Sequence, residues 1–119
     1  MTFETKRVLV VEDDPVVAMV VEDTLRDMGL EVLIDLSLVD ALSEIETSEF
    51  DAALVDIGLR GESARPLIVT LQDRGVPFAV MSGGDLSALA AEFPDVPTMT
   101  KPLDMAALKQ AMRELLGMG

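Results

Sequence analysis

Five side chains have the chemical types and the positions to act together: Glu12, Asp13, Asp56, Ser82 and Lys101. Three are carboxylates, one is a hydroxyl and one is an ammonium. Clustered carboxylates repel one another, so such a group normally holds a cation or carries raised pKa values. The inventory suits phosphoryl chemistry. Two or three carboxylates hold Mg²⁺, and one carboxylate can act as a nucleophile and form an acyl phosphate. The metal, the lysine and the hydroxyl then neutralise and hydrogen-bond the equatorial oxygens. Composition narrows the choice further. The chain has no cysteine and no histidine. That excludes Ser-His-Asp and Cys-His catalysis, thiolate sites and histidine-ligated zinc. Any metal must be held by oxygen, which points to Mg²⁺, Mn²⁺ or Ca²⁺.

Taken singly, each residue has an ordinary explanation. An acidic triplet, Glu12 to Asp14, is common on loops; Asp56 can cap a turn; Ser82 before Gly83-Gly84 is a usual turn residue; Lys101 can be a surface lysine. What argues otherwise is that each falls just after a run that reads as a strand. In an open α/β sheet the ligand crevice lies outside the carboxyl ends of the strands.

The first of these runs is Val8 to Val11, apolar and short enough to be a strand buried on both faces. Asp14-Pro15 reads as the cap and first turn of a helix running to about Met28 and stopped by Gly29. Val17, Val21, Thr24, Leu25 and Met28 form its sheet-facing stripe. Val16, Met19 and Val20 make a second apolar strip, more than a one-sided helix needs. Glu31 to Leu36 is the second strand. Ser37 caps a helix over Leu38 to Glu46 with Val39, Leu42 and Ile45 inward. Ala52 to Val55 is a third buried strand that delivers Asp56, and Ile57 to Gly61 is a loop with two glycines. A third helix begins within Glu62 to Pro66 and ends near Arg74-Gly75, since Pro66 is tolerated only in a first turn. Val76 to Met81 is the fourth strand. Asp85 caps a short helix to Ala91. Thr98 to Thr100 is the fifth strand. Asp104 caps a last helix to about Leu116, with Leu108, Met112 and Leu115 inward and Gly117 ending it.

Five alternations with short connections predict a parallel sheet with right-handed crossovers and helices on both faces. The five units account for all 119 residues given, so the expectation is a single domain over 1–119 with no output domain. No apolar run approaches the roughly 20 residues of a membrane helix. The N-terminus lacks a signal-peptide shape, so the expected location is cytoplasmic, away from membranes. The net charge of −13 argues against nucleic-acid partners.

The segments V-V-E-D-D-P (Val10 to Pro15), L-V-D-I (Leu54 to Ile57), V-M-S-G-G (Val80 to Gly84) and T-K-P (Thr100 to Pro102) resemble, in that order and over the whole chain, the receiver domain of two-component response regulators. The stretch G-V-P-F-x-x-x-S-G-G is similar to a group of stand-alone receivers from alphaproteobacteria. The resemblance implies a flavodoxin-like (βα)5 fold with strand order 2-1-3-4-5. It implies that Asp56 is the phospho-acceptor. Asp13 would bind Mg²⁺ (or Mn²⁺) directly, Glu12 through water, and Asp56 and the Gly58 carbonyl would complete the ligands. Ser82 would move toward the phosphoryl group, Lys101 would pair with it, and the Lys101–Pro102 bond would be cis. The donor would be a histidine kinase or histidine phosphotransfer protein. With no DNA-binding domain, output would be a protein contact or phosphate removal from a shared kinase. The chain would thus be a phosphorylated signalling protein rather than an enzyme.

Departures from the family pattern are informative. The aromatic residue often found three positions before the lysine is Thr98 here, and the chain has no Tyr. Ser82 to Lys101 spans 19 positions (101 − 82), short for the family, so the fourth helix should be abbreviated. Gly58 and Gly84 lie two residues beyond Asp56 and Ser82 and offer no side chain to exclude water, which predicts a short to modest phosphoryl lifetime. The strip Val16, Met19 and Val20 is the expected kinase-docking surface; packing under a loop and a homodimer contact are the other uses for it. Two rivals remain. A Mg²⁺ enzyme of the phosphotransferase or toprim type would usually show D-x-D at Asp56, where Ile57 and Gly58 follow instead. A pseudo-receiver that binds partners without phosphorylation would typically lack an acid or the lysine.

Overall fold

The computed structural model describes residues 5–58 and 63–118. Five strands and five helices alternate: β1 (Arg7–Val11), α1 (Pro15–Asp27), β2 (Glu31–Asp35), α2 (Leu38–Thr47), β3 (Ala52–Asp56), α3 (Arg65–Asp73), β4 (Phe78–Ser82), α4 (Ser87–Glu92), β5 (Thr98–Thr100) and α5 (Met105–Leu116). The strands form one sheet in the order β2-β1-β3-β4-β5, every pair parallel. This is the flavodoxin-like arrangement. No described helix is long and apolar enough to cross a membrane.

Alternation along the strands divides the core in two. Val8, Val10, Leu54, Ala79 and Met81 face α1 and α5, packing against Val21, Leu25, Leu108 and Met112. Leu9, Val11, Ala53, Val55 and Val80 face the other way, against Ala41 and Ile45 of α2 and Leu67, Ile68 and Leu71 of α3. The central strands are apolar without a break because both faces are covered. Truncating a fully buried residue such as Leu9 to Ala would cost about 3 kcal/mol.

The helix starts follow local chemistry. Asp14 accepts from the N–H groups of Val16 and Val17, Ser37 from Asp40 and Asp104 from Ala106. Gly29 takes a positive φ of 83° just past α1, a conformation that costs an L-residue.

Three expectations need correction. Val39 is 71% exposed, not inward. The inward row of α2 is Leu38, Ala41, Leu42 and Ile45, spaced i, i+3, i+4 and i+7, and Val39 lies off that row. Asp85 does not cap α4: Leu86 occupies that position without a side-chain bond, while the Asp85 carboxylate accepts from the Ser87 N–H and hydroxyl. β4 begins at Phe78 rather than Val76, because the Val76 N–H bonds to the Leu71 carbonyl and finishes α3. Of the loop after Asp56, Gly61 and the possible helix start at Glu62 lie outside the described residues.

Candidate functional site

Register places the chemistry at one edge. Val11 pairs with Val55, Asp56 with Met81 and Ser82 with Thr100. Glu12, Asp56, Ser82 and Lys101 therefore emerge together at the carboxyl ends of β1, β3, β4 and β5. Backbone bonds lock this edge: Glu12 N–H donates to the Asp35 carbonyl at 3.1 Å, Ile57 N–H to Met81 at 3.0 Å, and Lys101 N–H to Ser82 at 2.8 Å. The Lys101–Pro102 bond is cis.

Lys101 Nζ sits between two carboxylates. It lies 2.8 and 2.9 Å from the two Glu12 oxygens and 3.1 Å from Asp56 Oδ2. Glu12 and Asp56 are buried, Asp13 half-buried. One oxygen from each of Glu12, Asp13 and Asp56 lies within 4.8 Å of the others. Burial, together with the hydrogen bond to Asp56, pushes the Glu12 carboxyl up to about 7, against the pull of Lys101. Burial acts the same way on Asp56, but bonds with Glu12, the Gly58 N–H and Lys101 outweigh it and hold that carboxyl below its ordinary value. Lys101 is held above its ordinary value: burial opposes this, and Glu12 and Asp56 overcome it. At neutral pH the ammonium and the Asp56 carboxylate are both charged.

The donor set fits Mg²⁺ or Mn²⁺. It consists of carboxylate oxygens with no nitrogen or sulfur, the preference of a hard cation. Oxygens around one octahedral Mg²⁺ lie at most about 4.2 Å apart, within a small side-chain adjustment of this spacing.

The two glycines flank the edge as the spacing suggests. The Gly58 N–H donates to Asp56 Oδ1 at 2.9 Å, and the Gly84 N–H to Ser82 Oγ at 2.9 Å. A Cβ at Gly58 would stand 3.4 Å from Asp56 Oδ1, and one at Gly84 3.7 Å from Ser82 Oγ. Side chains at these positions would start beside the Asp56 carboxylate and the Ser82 hydroxyl.

Solved structures of response-regulator receivers superpose on nearly all of this architecture. A CheY-like receiver domain protein from Methanospirillum hungatei JF-1 matches with a TM-score of 0.86 and 25% identity, over 96% of this chain and 95% of that one. A receiver protein from Sinorhizobium medicae WSM419 matches in fold with a TM-score of 0.88 at 23% identity, over 98% of both chains. SdrG from Sphingomonas melonis Fr1 is 32% identical, with a TM-score of 0.81, over 94% of this chain and 97% of its own. The chain belongs to the response-regulator receiver family. No protein-family model matches the sequence, and no curated protein does.

This receiver also carries a surface that sequence reasoning captured only in part. Val16, Met19 and Val20 are 68%, 58% and 46% exposed on α1. Val16 and Val20 line an apolar groove of about 190 Å³, completed by Val17, Val21, Lys101, Pro102, Leu103 and Met105. Met19 stands outside the groove. The segment after Lys101 was missed because its apolar residues read as the lead-in to α5, whereas in the fold they lie beside α1, a placement set by contact between distant segments.

Proposed function

We propose that this receiver takes a phosphoryl group onto Asp56, with Mg²⁺ held by Asp13 and Asp56 directly, Glu12 through water and the Gly58 carbonyl. The observation that carries the reading is the Lys101 ammonium bridging Asp56 and Glu12 inside a three-carboxylate cluster. A solitary buried carboxylate would be neutral and unreactive. Asp56 is held ionised by Lys101 and the Gly58 N–H, so it can attack phosphorus.

In the transfer, an Asp56 oxygen forms the new P–O bond as the P–N bond of a donor phosphohistidine breaks. The electron pair leaves with the imidazole, which takes up a proton. Mg²⁺, when bound, neutralises the carboxylates and the equatorial phosphoryl oxygens. Lys101 exchanges its contact with the Asp56 carboxylate for a phosphoryl oxygen, and the Ser82 hydroxyl donates to another. The partners that fit are a histidine kinase or histidine phosphotransfer protein, docked on the Val16–Val20 groove beside the acceptor, and a downstream protein that meets the phosphorylated form or a shared kinase relieved of its phosphate.

Mg²⁺ titration tests the metal half of this reading, followed by calorimetry and by the Gly58 amide resonance. Saturable binding is expected, weakened in Asp13→Asn by at least about tenfold, the loss that even an outer partner of a ligand produces. No binding by the wild type would leave a protein-binding module that phosphorylation does not regulate.

A further inference from the structure

Helix α4 is short and only shallowly packed. It has six residues, buries none of them and lacks a side-chain cap. Leu86 and Leu89 are partly packed against the core, and Phe93 just beyond the helix is buried. Between it and α3 lies an open cavity of about 270 Å³ whose lining includes Ile57, Ser63, Ala64, Ile68, Asp85 and Leu89. Across the mouth of that cavity Arg65, the first residue of α3, grips Glu92, the last of α4. The contact is bidentate: Nε lies 3.1 Å from both carboxylate oxygens and Nη2 2.7 Å from Oε2. The fork geometry makes this stronger than an ordinary exposed pair.

The two ends are unequally anchored. α3 is pinned by Leu67, Ile68 and Leu71, all fully buried, so the helix that carries Arg65 is fixed to the core. Glu92 belongs to the part that can move. The cavity gives α4 room, and the path from the acceptor is short. Ile57, next to Asp56, lines the cavity, and Ser82 holds the Gly84 N–H at the entry to α4. Any shift of Ser82 toward Asp56 pulls on that entry.

We propose that the Arg65–Glu92 pair is a latch that holds α4 in place and sets how readily the helix shifts when Asp56 is phosphorylated. The coupling rests on the phosphoacceptor reading; the holding does not. Amide exchange separates them. In unmodified protein, Arg65→Gln and Glu92→Gln should each speed exchange at Ala90 and Phe93, whose N–H groups bond within and just after α4, by about two- to fivefold. The double variant should add nothing, the charge swap Arg65→Glu with Glu92→Arg should restore slow exchange, and Leu108 and Val80 should not change. Unchanged rates at Ala90 and Phe93, additive effects, or equal acceleration at Leu108 and Val80 would overturn the latch. With acetyl phosphate and Mg²⁺, wild-type exchange at Ala90 and Phe93 should rise toward that of the variants. A labelled protein with unchanged α4 exchange would overturn the coupling. A wild type that takes no label would remove the phosphoacceptor reading and the coupling together, while the exchange rates would still decide the holding.

Discussion

Lys101 is the residue whose loss the site should feel most. It is the counter-ion of two buried carboxylates, and removing one member of such a group leaves uncompensated charge. Lys101→Met should lower stability by about 2 kcal/mol at pH 8 and by less at pH 5, where Glu12 takes up a proton. Thermal unfolding at the two pH values checks this, and added Mg²⁺ should recover part of the loss at pH 8. The glycines make a kinetic prediction. With only hydrogen beside Asp56 and Ser82, water would reach the proposed acyl phosphate easily, so its lifetime should be short to modest. Gly58→Leu should lengthen it severalfold, since the new side chain starts 3.4 Å from Asp56 Oδ1. A wild-type half-life of many hours, or no change in Gly58→Leu, would count against that view.

At the scale of elements, α1 carries two faces with different duties. Its inward row builds the core, and its outer strip stays exposed among the described residues. Val20→Lys and Met19→Glu should leave stability within about 0.5 kcal/mol, as surface changes do. They should slow phosphotransfer from a phosphohistidine donor while labelling by acetyl phosphate stays as it was. Transfer that survives both changes would remove the docking role. These elements were legible wherever a strong local signal existed. Caps at Asp14, Ser37 and Asp104 and unbroken apolar strands marked most boundaries to within a residue or two. Legibility failed where two readings shared the same residues. In α2 Val39 and Leu38 both fit helical periodicity with Leu42 and Ile45, and only the packing direction chooses. At α4 an Asx-type bond to Ser87 mimics a cap one position early. The acidic cluster and its lysine were visible as residue types at strand ends. The Glu12–Lys101 contact, the groove past Pro102 and the Arg65–Glu92 pair were not, because they depend on crossings between distant segments.

The whole molecule is strongly acidic, with a net charge of −13, and its buried acids set how stability follows pH. Glu12, raised to about 7, and Asp35, raised to about 6 by burial and by the nearby charges of Glu44 and Asp40, both bind protons more tightly folded than unfolded. Their contribution is complete below the unfolded values, 4.5 and 3.8, and is lost as pH rises through 6 and 7. Asp56, lowered, has the opposite sign and supplies stability that disappears only in acid. Metal-free protein should therefore lose on the order of 2 kcal/mol between pH 5 and pH 8. Among the described residues, the buried Asp35 Oδ2 finds no hydrogen-bond partner. Asp35→Asn should regain about 1 kcal/mol at pH 8, after discounting for solvent screening, and nothing near pH 4. Denaturant melts across this range check both statements.

The most direct test of the account is intact mass after incubation with acetyl phosphate, for wild type and Asp56→Asn, with and without Mg²⁺. A single phosphoryl adduct on the wild type alone, absent without Mg²⁺, is the predicted result. An adduct that persists in Asp56→Asn, or that forms equally well without the metal, would contradict the assignment of Asp56 and of the acidic cluster beside it.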